Sequence, residues 1–264
     1  LSARPSNFGT RFHNALYEML RLDFVYKAFA IADIAGAVAG IRALRVRGAA
    51  VSMPFKEAVI AHVDALAPSA AAIASVNTIV NDDGFLTAHN TDYGAVAALI
   101  AANGLDPATP VVLRGSGGMA KAVACAFRDA GFRAGTIVAR NEATGRTVAE
   151  TCGWSWRADL GADLAPILVN VTPIGMAGGP EADDLAFPAA AIAAAETIVD
   201  VVALPSETPT IRAARAAGKR VITGTEIGLL QAVEQFVLYT GLRPDEATIA
   251  RAATFARGTA TTLA

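Results

Sequence analysis

Two charged residues stand where they could move a proton. Lys56 follows the apolar stretch Gly48-Ala49-Ala50-Val51-Ser52 and its Met53-Pro54 stop, and Asp92 closes the polar triplet Asn90-Thr91-Asp92. A lysine beside a carboxylate can hold a hydroxyl by hydrogen bonds and exchange its proton while hydride leaves the carbon. Spacing alone does not pair them: taken singly, Lys56 reads as a helix-start cation and Asp92 as a cap on the helix opening at Tyr93. A hydride acceptor is suggested by a second motif, Val111-Val112-Leu113-Arg114-Gly115-Ser116-Gly117-Gly118-Met119-Ala120, followed by the helix-forming run from Lys121 to Arg128. Strand, tight turn and helix in that order begin a dinucleotide site. Gly115 permits the turn, Gly117 lets the backbone approach a pyrophosphate, and the helix N-terminus offers free N–H groups to it. The fingerprint is G-x-G-G-x-A, one step from the usual pattern, and on its own it also fits an ordinary glycine turn.

The end of the next strand bears on which dinucleotide would bind. Proteins that take NAD usually carry a carboxylate there, on the ribose. Here the strand ends Val138-Ala139-Arg140-Asn141, with Arg146 further on. A guanidinium in place of an acid suits a 2′-phosphate, so NADP is expected over NAD, unless Arg140 is merely a solvated loop cation.

The elements that must position these groups can be read from periodicity. Phe12, Leu16, Met19 and Leu20 recur at helical spacing after a loop from Ser2 to Gly9, Phe24 to Ala30 reads as a strand, and a helix is expected from Asp33 through Leu44. Gly48 to Ser52 reads as a buried strand, with Lys56 beyond its end, at the edge where an open parallel sheet binds ligands. A helix from Lys56 to Leu66 and a helical turn at Ala70 to Ile73 follow. Val76 to Val80, Asn81-Asp82-Asp83-Gly84 and Phe85 to Ala88 spell a hairpin with Asp-Gly at its turn. A helix from Tyr93 to Asn103 leads into the turn-rich Gly104 to Pro110, the expected domain boundary. Beyond it, strands and helices alternate in the manner of a doubly wound parallel sheet, and Ile227 to Tyr239 and Glu246 to Ala256 read as closing helices.

Composition narrows the function classes. With 264 residues the chain can form two domains, and a formal charge of −2 gives no basic face for nucleic acid or an anionic membrane. The richest apolar run, Ala189 to Ala203, is broken by Glu196 and Asp200 and makes a poor membrane span. No leader pattern opens the chain at Leu1. Two cysteines, Cys125 and Cys152, supply neither a disulfide framework nor a metal-ligand spacing, and three scattered histidines (His13, His62, His89) make zinc improbable. A cytoplasmic protein without a metal is expected.

Taken in order, Val51-Ser52-Met53-Pro54-Phe55-Lys56, Val76-Asn77-Thr78-Ile79-Val80, Asn90-Thr91-Asp92-Tyr93-Gly94, the glycine turn, Asn170-Val171-Thr172-Pro173-Ile174-Gly175-Met176, Asp200-Val201-Val202 with Pro205 and Thr208, and Gly224 followed by Gln231 resemble the shikimate dehydrogenase family over nearly the whole chain. The resemblance implies an α/β fold of two domains flanking a cleft. An N-terminal α/β substrate domain would span 1–104, a Rossmann-type doubly wound parallel-sheet NADP domain 105–232, and C-terminal helices 233–264 would return to the first. It implies Lys56 and Asp92 as the catalytic pair. Asn77 and Gln231 would hold ring hydroxyls, with Ser2 and Ser52 at the substrate. Gly115, Ser116, Gly117, Gly118, Met119, Ala120, Arg140, Asn141, Thr172, Pro173, Met176 and Gly224 would line the cofactor. The implied reaction is NADP-dependent interconversion of a secondary alcohol and a ketone on a small cyclic hydroxy acid, shikimate or a relative, as in aromatic amino acid biosynthesis, by a monomer or homodimer.

The departures from the family pattern cluster around substrate and nicotinamide. The family opens Ser-x-Ser-Pro-x-x-His-Asn, where serines grip the substrate carboxylate. Here Ser2 is followed by a longer loop before His13-Asn14, in which Asn7, Thr10, Arg4 or Arg11 could take over that contact. Ala203 stands for the family's tyrosine and Ile227-Gly228 for its Met-Leu pair. These changes resemble the shikimate dehydrogenase-like branch. Two alternatives stay open: an NAD-preferring quinate/shikimate dehydrogenase, and a dinucleotide-binding regulatory module with little catalysis.

Overall fold

The alternating and continuous apolar runs sort into two sheets, one in each of two compact units. The computed structural model describes residues 1–3, 7–161 and 164–258. One unit comprises Leu1–Thr91 with Leu229–Ala264, and the other Asp92–Gly228. The division falls between Thr91 and Asp92 rather than at the turn-rich Gly104 to Pro110, so the helix after Asp92 groups with the sheet it leads into. The C-terminal helices belong with the first unit, from Leu229 onward.

In the first unit, α1 (Phe8–Met19) and α2 (Ile34–Ala43) precede β1 (Gly48–Ala50); β2 (Ala65–Leu66), α3 (Pro68–Ala71), β3 (Thr78–Asp82) and β4 (Phe85–His89) follow. The strands form a mixed sheet in the order β1-β3-β4-β2, with β1 and β4 antiparallel to β3 and β2 parallel to β4. The hairpin turns at Asp83 and Gly84, both with positive φ, as the Asp-Gly pair dictates. Because β1 runs antiparallel to β3, Lys56 does not stand at the edge of a parallel sheet.

Two expected elements differ. Between Lys56 and Leu66 only Ala58–His62 is helical, as a 3₁₀ turn. The rest is captured by β4: Asp64 and Leu86 exchange backbone and carboxylate hydrogen bonds, and Ala67 N donates to Ala88 O. Phe24 to Ala30 forms no strand beyond a single bridge from Ala30 to Ser2. Its backbone is met instead by the Asn14 side chain, which accepts from Tyr26 N at 2.7 Å and donates to Tyr26 O at 2.9 Å.

The second unit begins with α4 (Thr91–Ala102), whose first residue belongs to the first unit. It continues β5 (Val111–Arg114), α5 (Gly118–Asp129), β6 (Gly135–Val138), α6 (Glu142–Cys152), β7 (Ser155–Arg157), β8 (Ile167–Asn170), α7 (Ala189–Ala194), β9 (Thr197–Asp200), α8 (Pro209–Ala216) and β10 (Arg220–Thr223). The chain closes with α9 (Gly224–Thr240) and α10 (Glu246–Arg257). Six strands in the order β10-β9-β8-β5-β6-β7, all parallel, make the doubly wound sheet. One face packs Val112, Leu168 and Ile198 against Ile192 of α7 and Ile211 of α8. On α5 every residue from Ala122 to Phe127 is buried, which explains its alanine-rich sequence. Both cysteines, Cys125 on α5 and Cys152 at the end of α6, are free thiols and buried. Among the described residues no helix is long and apolar enough to cross a membrane.

In the first unit a hydrophobic core joins α1, α9 and α10 around Phe12, Leu16 and Phe236. His13 sits inside it, fully buried, stacked on Tyr26 with centroids 4.5 Å apart and bordered by Tyr17 and Tyr239. Among the described residues neither ring nitrogen has a hydrogen bond of ordinary geometry. Burial drives its pKa from 6.5 down to about 3, with the Gln235 amide pulling weakly the other way. The unfolded chain therefore takes up a proton near pH 6.5 that the native state refuses. The stability present above that pH is lost as pH falls toward 3, by up to about 1.4 kcal/mol per pH unit. His13→Phe, which keeps the stack, is expected to flatten the decline between pH 7 and pH 4, measured by urea unfolding across that range.

Candidate active site

In the first unit the polar centre is Asn77, fully buried immediately before β3. Its Oδ1 accepts from Thr91 N at 2.8 Å, Thr91 Oγ1 at 3.2 Å and Thr78 Oγ1 at 2.8 Å. A backbone N–H can only donate, so the atom facing Thr91 is the oxygen, and the amide orientation follows. Its Nδ2 is buried with no partner among the described residues. A buried NH₂ left unmatched is costly, and here it is a donor awaiting an acceptor such as a hydroxyl or carbonyl oxygen. Gln235 Nε2 donates to Thr78 Oγ1 at 3.1 Å, extending the chain of bonds into α9. Sequence reading overlooked Gln235, which lies one helical turn beyond the half-buried Gln231 and on the same side of α9.

Backbone pairing brings the 52–56 turn to this centre. Val51 N donates to Asn77 O, and Val76 N donates to Lys56 O, both at 2.8 Å, so Lys56 stands beside the segment that leads through Asn77 into β3. Lys56 is half-buried and Ser52 exposed. Ser52 N bonds Leu1 O, and the hydroxyl of buried Ser2 lies 3.5 Å from Met53 O, which places Ser2 next to the same turn. Ser2, Ser52, Lys56 and Asn77 thus share one region of the first unit.

Of the substitutes for the missing serine, Arg11 is committed elsewhere. Its guanidinium donates to Phe255 O at 2.6 Å and lies 4.5 Å over the Phe255 ring. Thr10 Oγ1 is buried with no partner among the described residues, Asn7 precedes α1, and Arg4 lies outside them. Asp92, almost fully buried, is the first residue of the second unit and lies in the first turn of α4.

In the second unit, register aligns one row across the sheet: Thr223, Asp200, Asn170, Arg114, Val138 and Arg157. This is the carboxyl edge, and the winding reverses between β5 and β8, the place where open α/β sheets bind ligands. Gly115 has φ of 128°, and a Cβ there would come within 2.9 Å of Val171 O, so only glycine fits. Gly117 caps α5 with no side-chain hydrogen bond, and a Cβ there would meet nothing within 4 Å. The first bond within α5 runs from Lys121 N to Gly117 O, so the N–H groups of Gly118, Met119 and Ala120 are the helix-start donors that suit a phosphate.

Ser116 Oγ lies 2.7 Å from Thr144 Oγ1, tying the glycine turn to the first turn of α6, which Asn141 caps through Thr144 N at 3.1 Å. Arg140 is exposed in the loop before it. Arg146 lies further along α6, turned to Glu142 at 2.8 Å and stacked on Trp156. Arg114 is a cation the sequence reading did not weigh. It donates to Ala186 O, burial lowers its pKa, and Glu181 and Arg140 act on its charge in opposite senses.

The β8 edge is held by side chains. Asn170 Oδ1 accepts from Thr172 N and Oγ1 at 3.0 and 2.6 Å, while its Nδ2 donates to Asp200 Oδ1 at 2.9 Å. Asp200 also accepts from Thr208 Oγ1 and Val202 N, and burial raises its pKa against these bonds. That network fixes the Thr172-Pro173 turn, with Pro173 and Met176 exposed beyond it. A Cβ on Gly224 would lie 2.4 Å from Val201 O, so α9 can start against β9 only with glycine there.

Residues 8–79 match the family described as the shikimate dehydrogenase substrate binding domain. A shikimate dehydrogenase-like protein of Haemophilus influenzae is 56% identical over 97% of this chain and 95% of its own length. The shikimate 5-dehydrogenase of Thermus thermophilus, solved with NADP(H) and shikimate, superposes with a TM-score of 0.83 at 31% identity, covering 94% of both chains. A quinate dehydrogenase of Corynebacterium glutamicum, solved with NAD, gives a TM-score of 0.82 at 26% identity over 94% of both chains.

Asn77→Leu leaves Thr91 N–H and two hydroxyls without their acceptor. It is expected to destabilise the protein by about 1–3 kcal/mol, read as a lower urea midpoint.

Proposed function

Because the chain belongs to the shikimate dehydrogenase family, we propose that it is an NADP-dependent dehydrogenase interconverting a secondary alcohol and a ketone on a small cyclic hydroxy acid, shikimate or a relative. The observation that carries the reading is the pinned Asn77 amide, whose buried Nδ2 has no acceptor among the described residues and lies beside the turn that holds Lys56. A polyol supplies that acceptor, and a turn carrying the Ser52 hydroxyl and the Lys56 ammonium suits it. In this reading the first unit binds the substrate and the second binds NADP.

NADP, when bound, accepts or returns hydride at the carbinol carbon. The protein's own residues handle the proton and the pose. Lys56 Nζ exchanges the hydroxyl proton, and Asp92 orients the hydroxyl. Asn77 and Gln231 hold neighbouring ring hydroxyls, and Ser2 and Ser52 face the acidic end of the substrate. In the second unit the uncapped start of α5 takes the pyrophosphate, and Arg140 with Asn141 takes the adenosine end. Thr172, Pro173, Met176 and Gly224 shape the nicotinamide side. A reducing cytoplasm is the proposed setting, on the sequence's two cysteines, which form no disulfide framework.

NADPH absorbance across a panel of cyclic hydroxy acids that includes shikimate and quinate tests the reading, and turnover on none of them would remove it. Lys56→Ala is expected to lower kcat by about a hundred- to ten-thousandfold, with KM changed far less. Near-normal turnover of that variant would end the role given to Lys56.

A further inference from the structure

The loop after β6 carries a contradiction that its neighbours resolve. Arg140 invites a phosphate, yet Glu142, two residues on, is the first residue of α6. It lies four residues beyond the end of β6, close to where NAD-binding proteins carry the acid that accepts the ribose hydroxyls, and a free carboxylate there would repel a 2′-phosphate. Glu142 is held by Arg146, whose Nε donates to Oε1 at 2.8 Å across one helical turn. An exposed pair of this kind is weak alone. This one is backed by an indole: the Arg146 guanidinium lies 4.5 Å over the Trp156 ring.

Trp156 is fixed in turn. Its Nε1 donates to Ala139 O at 3.2 Å, and α6 presses onto it so closely that a Cβ on Gly145 would fall 2.3 Å from that nitrogen. Ala139 N is bonded to Arg157 O on the same strand as Trp156. The strand that carries Trp156 therefore sets both the Arg140–Asn141 loop and the guanidinium that restrains Glu142.

We propose that Arg146, seated on Trp156, determines cofactor selectivity as a positioning residue: it draws the Glu142 carboxylate aside so that Arg140 and Asn141 meet a 2′-phosphate without a competing anion. The inference rests on the reading that NADP binds at this edge. Arg146 does not itself touch the phosphate, and Glu142 is a latent NAD-favouring group.

Calorimetric titration of the full chain with NADP⁺ and NAD⁺ tests this without turnover. Arg146→Met keeps the length of the side chain and frees Glu142. It is expected to weaken NADP⁺ about tenfold, the effect of one like charge a few ångströms from the phosphate at a surface site, and to leave NAD⁺ unchanged or tighter. Adding Glu142→Gln should restore NADP⁺ affinity to within about threefold of the parent, because the opposing charge is gone. A double variant as weak as Arg146→Met would make Arg146 a direct phosphate ligand and overturn the proposal. So would an Arg146→Met variant that binds both cofactors normally, or loses both equally. A parent protein with no preference for NADP⁺ would instead overturn the cofactor reading beneath it.

Discussion

The second unit depends on parallel register. Hydrogen bonding between six parallel strands fixes which residues end level with one another, and the row from Thr223 to Arg157 is the result. A slip of one residue in β8 would turn Asn170 to the opposite face and part it from Asp200. The β8 turn, the cap of α8 and the approach of α9 to β9 follow from that row. In this edge, backbone geometry does the positioning, and side chains such as Asn170, Asp200 and Thr208 hold what the register has brought together.

The first unit solves a similar problem by different means. Its strands are short and of mixed direction, and its polar centre is organised by one amide oxygen with three donors. The consequence is chemical polarity: with Oδ1 of Asn77 saturated, only the donor side remains to be used. A neutral hydrogen-bond network of this kind selects by direction as well as by position. It distinguishes a group that accepts from one that can only donate.

Much of this was legible in the sequence, for physical reasons that differ from place to place. The Asp83-Gly84 turn, the glycine turn at Gly115 and the apolar strands of the parallel sheet are local signals, set by φ preference and burial. Phe24 to Ala30 misled because β-rich composition does not supply a neighbouring strand; Phe29 and Val25 are exposed and the backbone is met by Asn14. The helix expected from Lys56 to Leu66 shortened because hairpin bonds to Asp64 and Ala67 outweighed helical propensity. Arg11 was indistinguishable from a ligand-binding arginine until its stack on Phe255, far along the chain, came into view. Gln235 and Trp156 were missed for the same reason, since each acts through a partner remote in sequence and lies in no motif.

The two cysteines give the molecule an intrinsic clock. Cys125 and Cys152 are its entire thiol content, both are buried, and both lie on helices of the second unit. A thiol reagent in solution can reach neither while α5 and α6 stay packed. Its rate of reaction is thus set by how often that unit opens and is silent on the other, so the protein reports the breathing of one half of itself with no label added.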